Sequence, residues 1–213
     1  MAVYNNGISG SFSGKVGTVV GSSWNGINYM RSLPRKSQRP PTERQKAQRL
    51  KLSLAISFLR PISELVNIGF RNEALKKSGF NIATSYLIQE SITGIYPEFN
   101  IDISKVLISS GNLTGAWNTM VSSEAPGTVT VSWTDNSGSG TAKSTDQAII
   151  LVYNPVKAKY IYNLEGVSRS SGSDSLSLPA EFQGDEVAIW IAFRSFNKKS
   201  VSTSIYAGKV IVS

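Results

Sequence analysis

The feature that most constrains the fold is a two-residue alternation of apolar and polar side chains, which begins near residue 106 and continues to residue 213. In its clearest example, Val129, Val131 and Trp133 alternate with threonine and serine. Because consecutive side chains of a β-strand point to opposite faces of a sheet, this pattern predicts half-buried strands. Similar stretches lie at residues 149–153, 160–164, 175–178, 187–194 and 205–212. Turn-forming residues separate them, so we predict an antiparallel, Ig-like β-sandwich over residues 106–213.

One predicted strand is apolar on both of its faces. Val187 and Ile189 share one face, while Trp190 lies on the other. Trp133 shares a face with Val129 and is therefore predicted to be a core residue. The opposite face at Trp190 carries either a second core layer or an exposed aromatic platform, which makes Trp190 a candidate aromatic contact.

Residues 1–33 form a glycine-rich segment of a different kind. Short β-branched or aromatic stretches alternate there with glycines. This pattern predicts short strands joined by tight turns, with Asn25-Gly26 as a type I′ hairpin turn. Because strands this short are weakly stable alone, we expect them to pair with another domain or another subunit.

Residues 43–95 show helical spacing of apolar side chains. Thr42 and Gln45 fit a capping box at the start of the first helix, which Pro61 ends or kinks. Further helices are predicted over residues 62–77 and 81–90. The predicted fold class is therefore α+β, with glycine-rich strands, a helical hairpin or bundle, and then the sandwich.

Positive charge is concentrated at the start of the chain. Residues 1–80 carry 13 basic and 3 acidic side chains, whereas residues 81–213 carry 9 basic and 11 acidic ones. A proline-rich basic arm is predicted at residues 34–42. The most basic stretch contains Arg31, Arg35, Lys36, Arg39, Arg44, Lys46, Arg49 and Lys51. We interpret it as a docking segment for phosphates or an acidic protein surface, the alternative being a solvated linker and the polar face of a helix.

Trp24 and Tyr29 lie next to this basic stretch. Exposed aromatic rings beside cations are typical of nucleic-acid contacts, so both residues are candidate aromatic contacts. The alternative is that they pack across strands within the short hairpins.

The sequence contains no His and no Cys. This removes the commonest general base, the commonest metal ligand and every thiolate nucleophile. The nearest match to a phosphate-binding loop, residues 10–16, has three residues between its glycines where the motif needs four, and Val16 follows Lys15. We therefore predict a protein that is not an enzyme and that uses no cofactor and no metal.

Two resemblances add to this interpretation. Residues 129–133, with their tryptophan, residues 148–153, and the closing pair 187–193 and 202–212 resemble the strands of a fibronectin-type-III or immunoglobulin-like domain. The disulfide is missing, as it is in fibronectin-type modules. The resemblance implies binding or spacing rather than catalysis.

The whole chain also resembles a family of uncharacterised proteins from Bacteroidota. The matching pieces are residues 14–21, Trp24, and residues 31–34, 45–49, 80–83 and 109–113. The resemblance covers nearly the full length and implies no activity.

The leading hypothesis is a structural or assembly protein that docks through its basic N-terminal half and displays an Ig-like domain, as a component of a phage virion or another particle. The alternatives are a nucleic-acid-binding protein that uses residues 31–51, and a carbohydrate- or cell-surface-binding module that uses an exposed Trp190 or Trp117. We expect the chain to form a homo- or hetero-oligomer. We also expect no membrane-spanning segment, since no run of eighteen apolar residues occurs. The expected location is the cytoplasm or the particle, because no signal-peptide pattern is present.

Overall fold

A computed structural model describes residues 3–4, 11–24, 26–34, 39–71 and 77–213 of the chain. Within it, the chain divides into two compact units, Met1–Thr42 and Glu43–Ser213. The boundary falls at the end of the predicted proline-rich arm. The helical segment and the sandwich, predicted as separate segments, belong to one unit.

The N-terminal unit contains an antiparallel sheet whose strands follow one another in chain order. The strands are β1 Val3–Tyr4, β2 Phe12–Val16, β3 Val19–Trp24 and β4 Ile27–Ser32. Gly26 has a φ of 80°, a left-handed conformation that favours glycine in a tight turn. Asn25 lies outside the described residues, so the turn type stays a prediction.

The second unit begins with helices. They are α1 Glu43–Leu59, a 3₁₀ turn Arg60–Ile62, α2 Ser63–Gly69, α3 Gly79–Tyr86 and a π-helical turn Leu87–Ser91. Pro61 lies inside the 3₁₀ turn and ends α1, as its missing N–H predicts. The second predicted helix is shorter than expected: α2 ends at Gly69, and the next residue, Phe70, leaves the helical conformation with a φ of −107° and a ψ of 16°. Gly69 is closely packed, since a Cβ there would come 2.3 Å from the carbonyl oxygen of Ile108. Residues 72–76 lie outside the described part of the chain.

The helical segment predicted over residues 43–95 ends at Ser91 instead. A β-hairpin follows, formed by β5 Ile92–Ile95 and β6 Glu98–Ile101. The reason is local: β-branched residues flank Gly94, which has a φ of 99° and could not accept a side chain without strain.

Seven further strands form the predicted sandwich. They are β7 Trp117–Ser122, β8 Thr128–Thr134, β9 Gln147–Asn154, β10 Lys159–Asn163, β11 Ser173–Ser177, β12 Glu186–Arg194 and β13 Ile205–Ile211. One sheet has the order β11-β8-β7 and the other β10-β9-β12-β13. All pairs are antiparallel, as predicted. The α+β class and the Ig-like sandwich are therefore confirmed.

The four-stranded sheet is covered on both faces. On the inner face, Ile189 and Phe193 of β12 meet Val131 and Trp133 of the other sheet. On the outer face, Trp190 packs in a core that also contains helix residues. Those helix residues are Ala55, Phe58, Leu59, Ile62, Leu65, Val66 and Ala83. The second unit thus has three layers: helices, four-stranded sheet and three-stranded sheet.

By length and composition alone, one helical stretch of the described residues, Glu43–Gly69, is long and apolar enough to cross a membrane. Its apolar side chains Leu59, Ile62 and Val66 are fully buried against the sheet. Other apolar side chains of this stretch, such as Leu50, are exposed, and 39% of its most apolar eighteen residues are buried.

Candidate docking surface of the N-terminal sheet

The register of the N-terminal sheet places its side chains on two chemically different faces. Val20 pairs with both Lys15 and Arg31, and directly paired residues of an antiparallel sheet share a face. Trp24 and Tyr29, at two-residue steps along the same strands, lie on that face as well. We call this surface the cationic–aromatic face; its members include Lys15, Val20, Ser22, Trp24, Ile27, Tyr29 and Arg31.

The other side of the sheet, which we call the apolar face, consists of Phe12, Val16, Val19 and Met30 with small residues between them. A Cβ at Gly21 would come within 2.7 Å of the Phe12 ring, so the ring lies directly over this glycine. Met30 is 69% exposed and Val16 is 42% exposed. An open groove of about 690 Å³ at the edge of this face is lined by Val19, Met30 and neighbouring residues up to Pro34.

Large side chains on both faces are exposed. Trp24 is 57% and Ile27 is 64% accessible, and every residue of β4 is exposed. In the described part of the N-terminal unit, no second layer covers either face. An antiparallel sheet normally buries one face against a core, and the described part of this unit contains no such layer.

Residues 1–42 carry five basic side chains and no Asp or Glu. The basic residues are Lys15, Arg31, Arg35, Lys36 and Arg39. Arg35 and Lys36 lie outside the described residues, whereas Lys15, Arg31 and Arg39 are exposed. All charged side chains of the unit are therefore positive.

The other predicted docking residues belong to the second unit, on α1. Arg44, Lys46 and Arg49 are exposed. Lys51 is half-buried, and its Nζ lies 4.8 Å from the centre of the Phe99 ring, a cation–π contact with β6. The eight basic residues are thus divided between the two units.

Sequence analysis missed a groove between α1 and the β5–β6 hairpin, because it did not predict the hairpin. Lys46, Arg49 and Leu50 line it from the helix, and Tyr96 and Pro97 line it from the hairpin, around about 390 Å³. The cluster of β-branched residues around Gly94 was the signal that could have revealed the hairpin.

The prediction that Trp190 is an exposed aromatic contact is wrong. Trp190 is fully buried, its Nε1–H donates to the carbonyl oxygen of Val106 at 3.0 Å, and its ring packs against Tyr206. The helices cover the outer face of the sheet, so the second core layer is the correct alternative. For a carbohydrate-binding role, Trp117 remains as an exposed tryptophan of the sandwich, at 48% accessibility.

At one end of the sandwich, a pocket of about 350 Å³ is lined by Thr141, Asp146, Phe196 and other, mostly polar, residues. Asp146 is fully buried in an ion pair with Arg169, and its Oδ1 has no hydrogen-bond partner. No group of three or more acidic, His or Cys side chains within the described ranges could hold a metal ion. The pocket therefore offers a packed ion pair rather than a nucleophile beside a base.

The profile of the family of unknown function DUF6266 matches residues 11–208. No curated protein matches the chain. Among solved structures, the chain is similar to the fn3 domain of human collagen alpha-1(XX) chain, determined in solution, at 16% identity. The alignment covers 49% of this chain and 90% of that domain, with a TM-score of 0.33. A TM-score this low does not support a fold assignment, so the Ig-like description of the sandwich rests on the strand order of its two sheets.

Proposed function

The chain belongs to the family of unknown function DUF6266, and we propose that it is a non-enzymatic assembly protein. In this proposal, the basic N-terminal unit docks onto a second copy of the chain, and the second unit displays its Ig-like sandwich. A phage virion or another particle is the proposed setting, with the cytoplasm as the site of synthesis.

The observation that carries the proposal is the exposure of the apolar face. Met30 and Val16 expose large parts of their side chains on a sheet that has no second layer in the described part of its unit. Sheets of a few short strands need a packed apolar face for stability. A partner that covers this face supplies the missing layer and so couples the folding of the unit to assembly.

The composition of the site supports docking rather than catalysis. The chain has no His and no Cys, and the residues of the apolar face have no titratable groups. Burial of apolar area is the dominant favourable term in association of protein subunits. The inner faces of the two sandwich sheets pack against each other in a buried core. This packing supports the proposal that the sandwich is displayed rather than docked, because its inner faces need no partner.

Met30→Ser tests the proposal. Burying the 69% of the Met30 side chain that is exposed contributes about 1–2 kcal/mol, so the serine variant should weaken self-association at least about fivefold. The measurement is the light-scattering mass of the natively purified chain during size exclusion, over a range of concentrations and salt. We expect a mass of several subunits that persists at high salt and falls in the variant.

The matched control is Met120→Ser, because Met120 is 70% exposed on the sandwich, against 69% for Met30. This control should leave the mass unchanged. A wild-type chain that stays an inert monomer at high concentration, or equal masses for both variants, would contradict the proposal.

A further inference from the structure

The cationic–aromatic face lies on the side of the N-terminal sheet opposite the apolar face, so a partner on one leaves the other open. We propose that the cationic–aromatic face binds single-stranded nucleic acid, its aromatic rings stacking on bases and its cations contacting phosphates. This site goes beyond the assembly role and does not require it.

Trp24 and Tyr29 supply the stacking surfaces. Trp24 pairs with Ile27, and Tyr29 pairs with Ser22, so the two aromatic residues are diagonal neighbours on adjacent strands. Diagonal neighbours are about 7–8 Å apart, so each of the two aromatic rings can stack on a different base of the strand. Among the described residues, no aromatic contact involves either ring, and Tyr29 is 43% and Trp24 57% exposed.

The cations lie in the next row of the same face. Arg31 follows Tyr29 by two residues, about 6.6–6.8 Å along β4, and Lys15 lies across Val20 in the row of Arg31. No ion pair of the described residues includes Lys15 or Arg31. The face therefore places two aromatic rings at one end and two available positive charges at the other.

The positive charge of the N-terminal unit favours a polyanionic ligand. Residues 1–42 contain no carboxylate, so no side chain of the unit repels a polyanion. Flat, exposed rings beside cations favour nucleic acid over an acidic protein surface, because bases stack on aromatic faces and carboxylates do not. Only unpaired bases expose their faces, so the ligand is a single strand rather than a duplex.

The test is the fluorescence anisotropy of a labelled oligothymidylate titrated with the full chain at several salt concentrations. Trp24→Ala should weaken binding about fivefold to 150-fold, since stacking contributes about 1–3 kcal/mol per base. Arg31→Gln should weaken binding and reduce the slope of log affinity against log salt by about 0.7, the loss of one phosphate contact.

The matched controls are Trp117→Ala, a 48% exposed tryptophan of the sandwich, and Arg60→Gln, an exposed arginine of the second unit. Both should bind as the unchanged chain does. Backbone amide NMR spectra report whether Trp24→Ala keeps the sheet folded; if it does not, Arg31→Gln, which removes no packed ring, decides the result.

Three results would overturn the inference: no oligothymidylate binding at low salt, equal affinity of the Trp24 and Trp117 variants with the sheet intact, or equal affinity for a duplex of the same length. Binding of polyglutamate as tight as that of the oligothymidylate would also overturn it, in favour of an acidic protein. Light scattering of the same samples keeps this outcome separate from the assembly proposal, which depends on Met30 and not on Trp24.

Discussion

Among single residues, Arg169 has the most complete set of contacts in the sandwich. Its side chain is fully buried, and its nitrogens donate to Asp146 Oδ2, Asn136 Oδ1 and the carbonyl oxygens of Thr114 and Gly115 at 2.6–3.3 Å. Four of the five N–H donors of the guanidinium make hydrogen bonds, and Nη2 also lies 3.2 Å from Asp146 Oδ2 in the ion pair. Burial lowers the pKa of Arg169, and the carboxylate of Asp146 opposes that shift. The charge is therefore stabilised by a closed set of acceptors.

Removing one partner of this buried pair should be costly. We expect Asp146→Ala to lower the free energy of unfolding by about 3–5 kcal/mol, because it leaves the guanidinium buried without its counter-charge. Guanidinium chloride denaturation measures this change. Replacing both residues, Asp146→Ala with Arg169→Met, should restore part of the loss, since no charge is then buried.

The matched control is the exposed pair Lys209–Glu186, whose side chains are 46% and 53% accessible. Glu186→Ala should change the free energy of unfolding far less than Asp146→Ala does, because water screens this exposed pair. Equal losses for Asp146→Ala and Glu186→Ala would refute the assigned role of the Arg169 network.

Between elements, Asp185 connects the start of β12 to the end of β9. Its carboxylate accepts hydrogen bonds from Lys157 in the β9–β10 turn and, at 2.6 Å, from Asn154 Nδ2. The hydrogen bond from Lys157, and then the one from Asn154, lower the pKa of Asp185 from its ordinary value. The contact therefore holds two neighbouring strands in register at one end of the four-stranded sheet.

Because the pKa of Asp185 is lowered in the folded state, the free energy of unfolding depends on pH. The contribution of Asp185 is complete above its unfolded pKa of about 4 and is lost as the pH falls through its folded pKa. Asp185→Asn should therefore be less stable than the unchanged chain at neutral pH and should lose less stability below about pH 4. Urea unfolding at several pH values measures this, with the exposed Glu124→Gln as control. Parallel pH profiles for the unchanged chain and Asp185→Asn would show that the contact is absent.

At the scale of the molecule, the second unit depends on its helices. Ile149, Leu151 and Trp190 of the four-stranded sheet are buried in the core that the helices complete. A sandwich without residues 43–105 would expose this apolar face to water. The N-terminal unit, in contrast, is a separate body in the division of the chain.

Two truncations test this organisation. A chain without residues 1–42 should unfold at the same denaturant concentration as the full chain, because the core of the second unit is intact. A fragment of residues 106–213 should unfold at much lower denaturant, bind a hydrophobic dye and aggregate. Unfolding of that fragment at the midpoint of the full chain would show that the helices contribute nothing to the sandwich.

Much of the fold could be predicted from local patterns. The alternation around Val129 and Trp133, the proline at position 61 and the glycine turns of residues 11–33 act over a few neighbouring residues, and strands, helix ends and turns follow from them. The N-terminal candidates Trp24, Tyr29 and Arg31 could also be named from the sequence, because charge and aromatic content are properties of composition. The absence of His and Cys was equally plain there.

Only the tertiary structure decided which surfaces meet. An exposed strand face and a buried one can have the same apolar pattern, so the sequence left Trp190 between a core layer and a platform until the helices were seen to cover it. Register likewise decided that Trp24, Tyr29, Arg31 and Lys15 share one face, since a shift of one residue would move a strand's side chains to the other side. Pairing between strands and packing between layers are long-range contacts, which no local pattern contains.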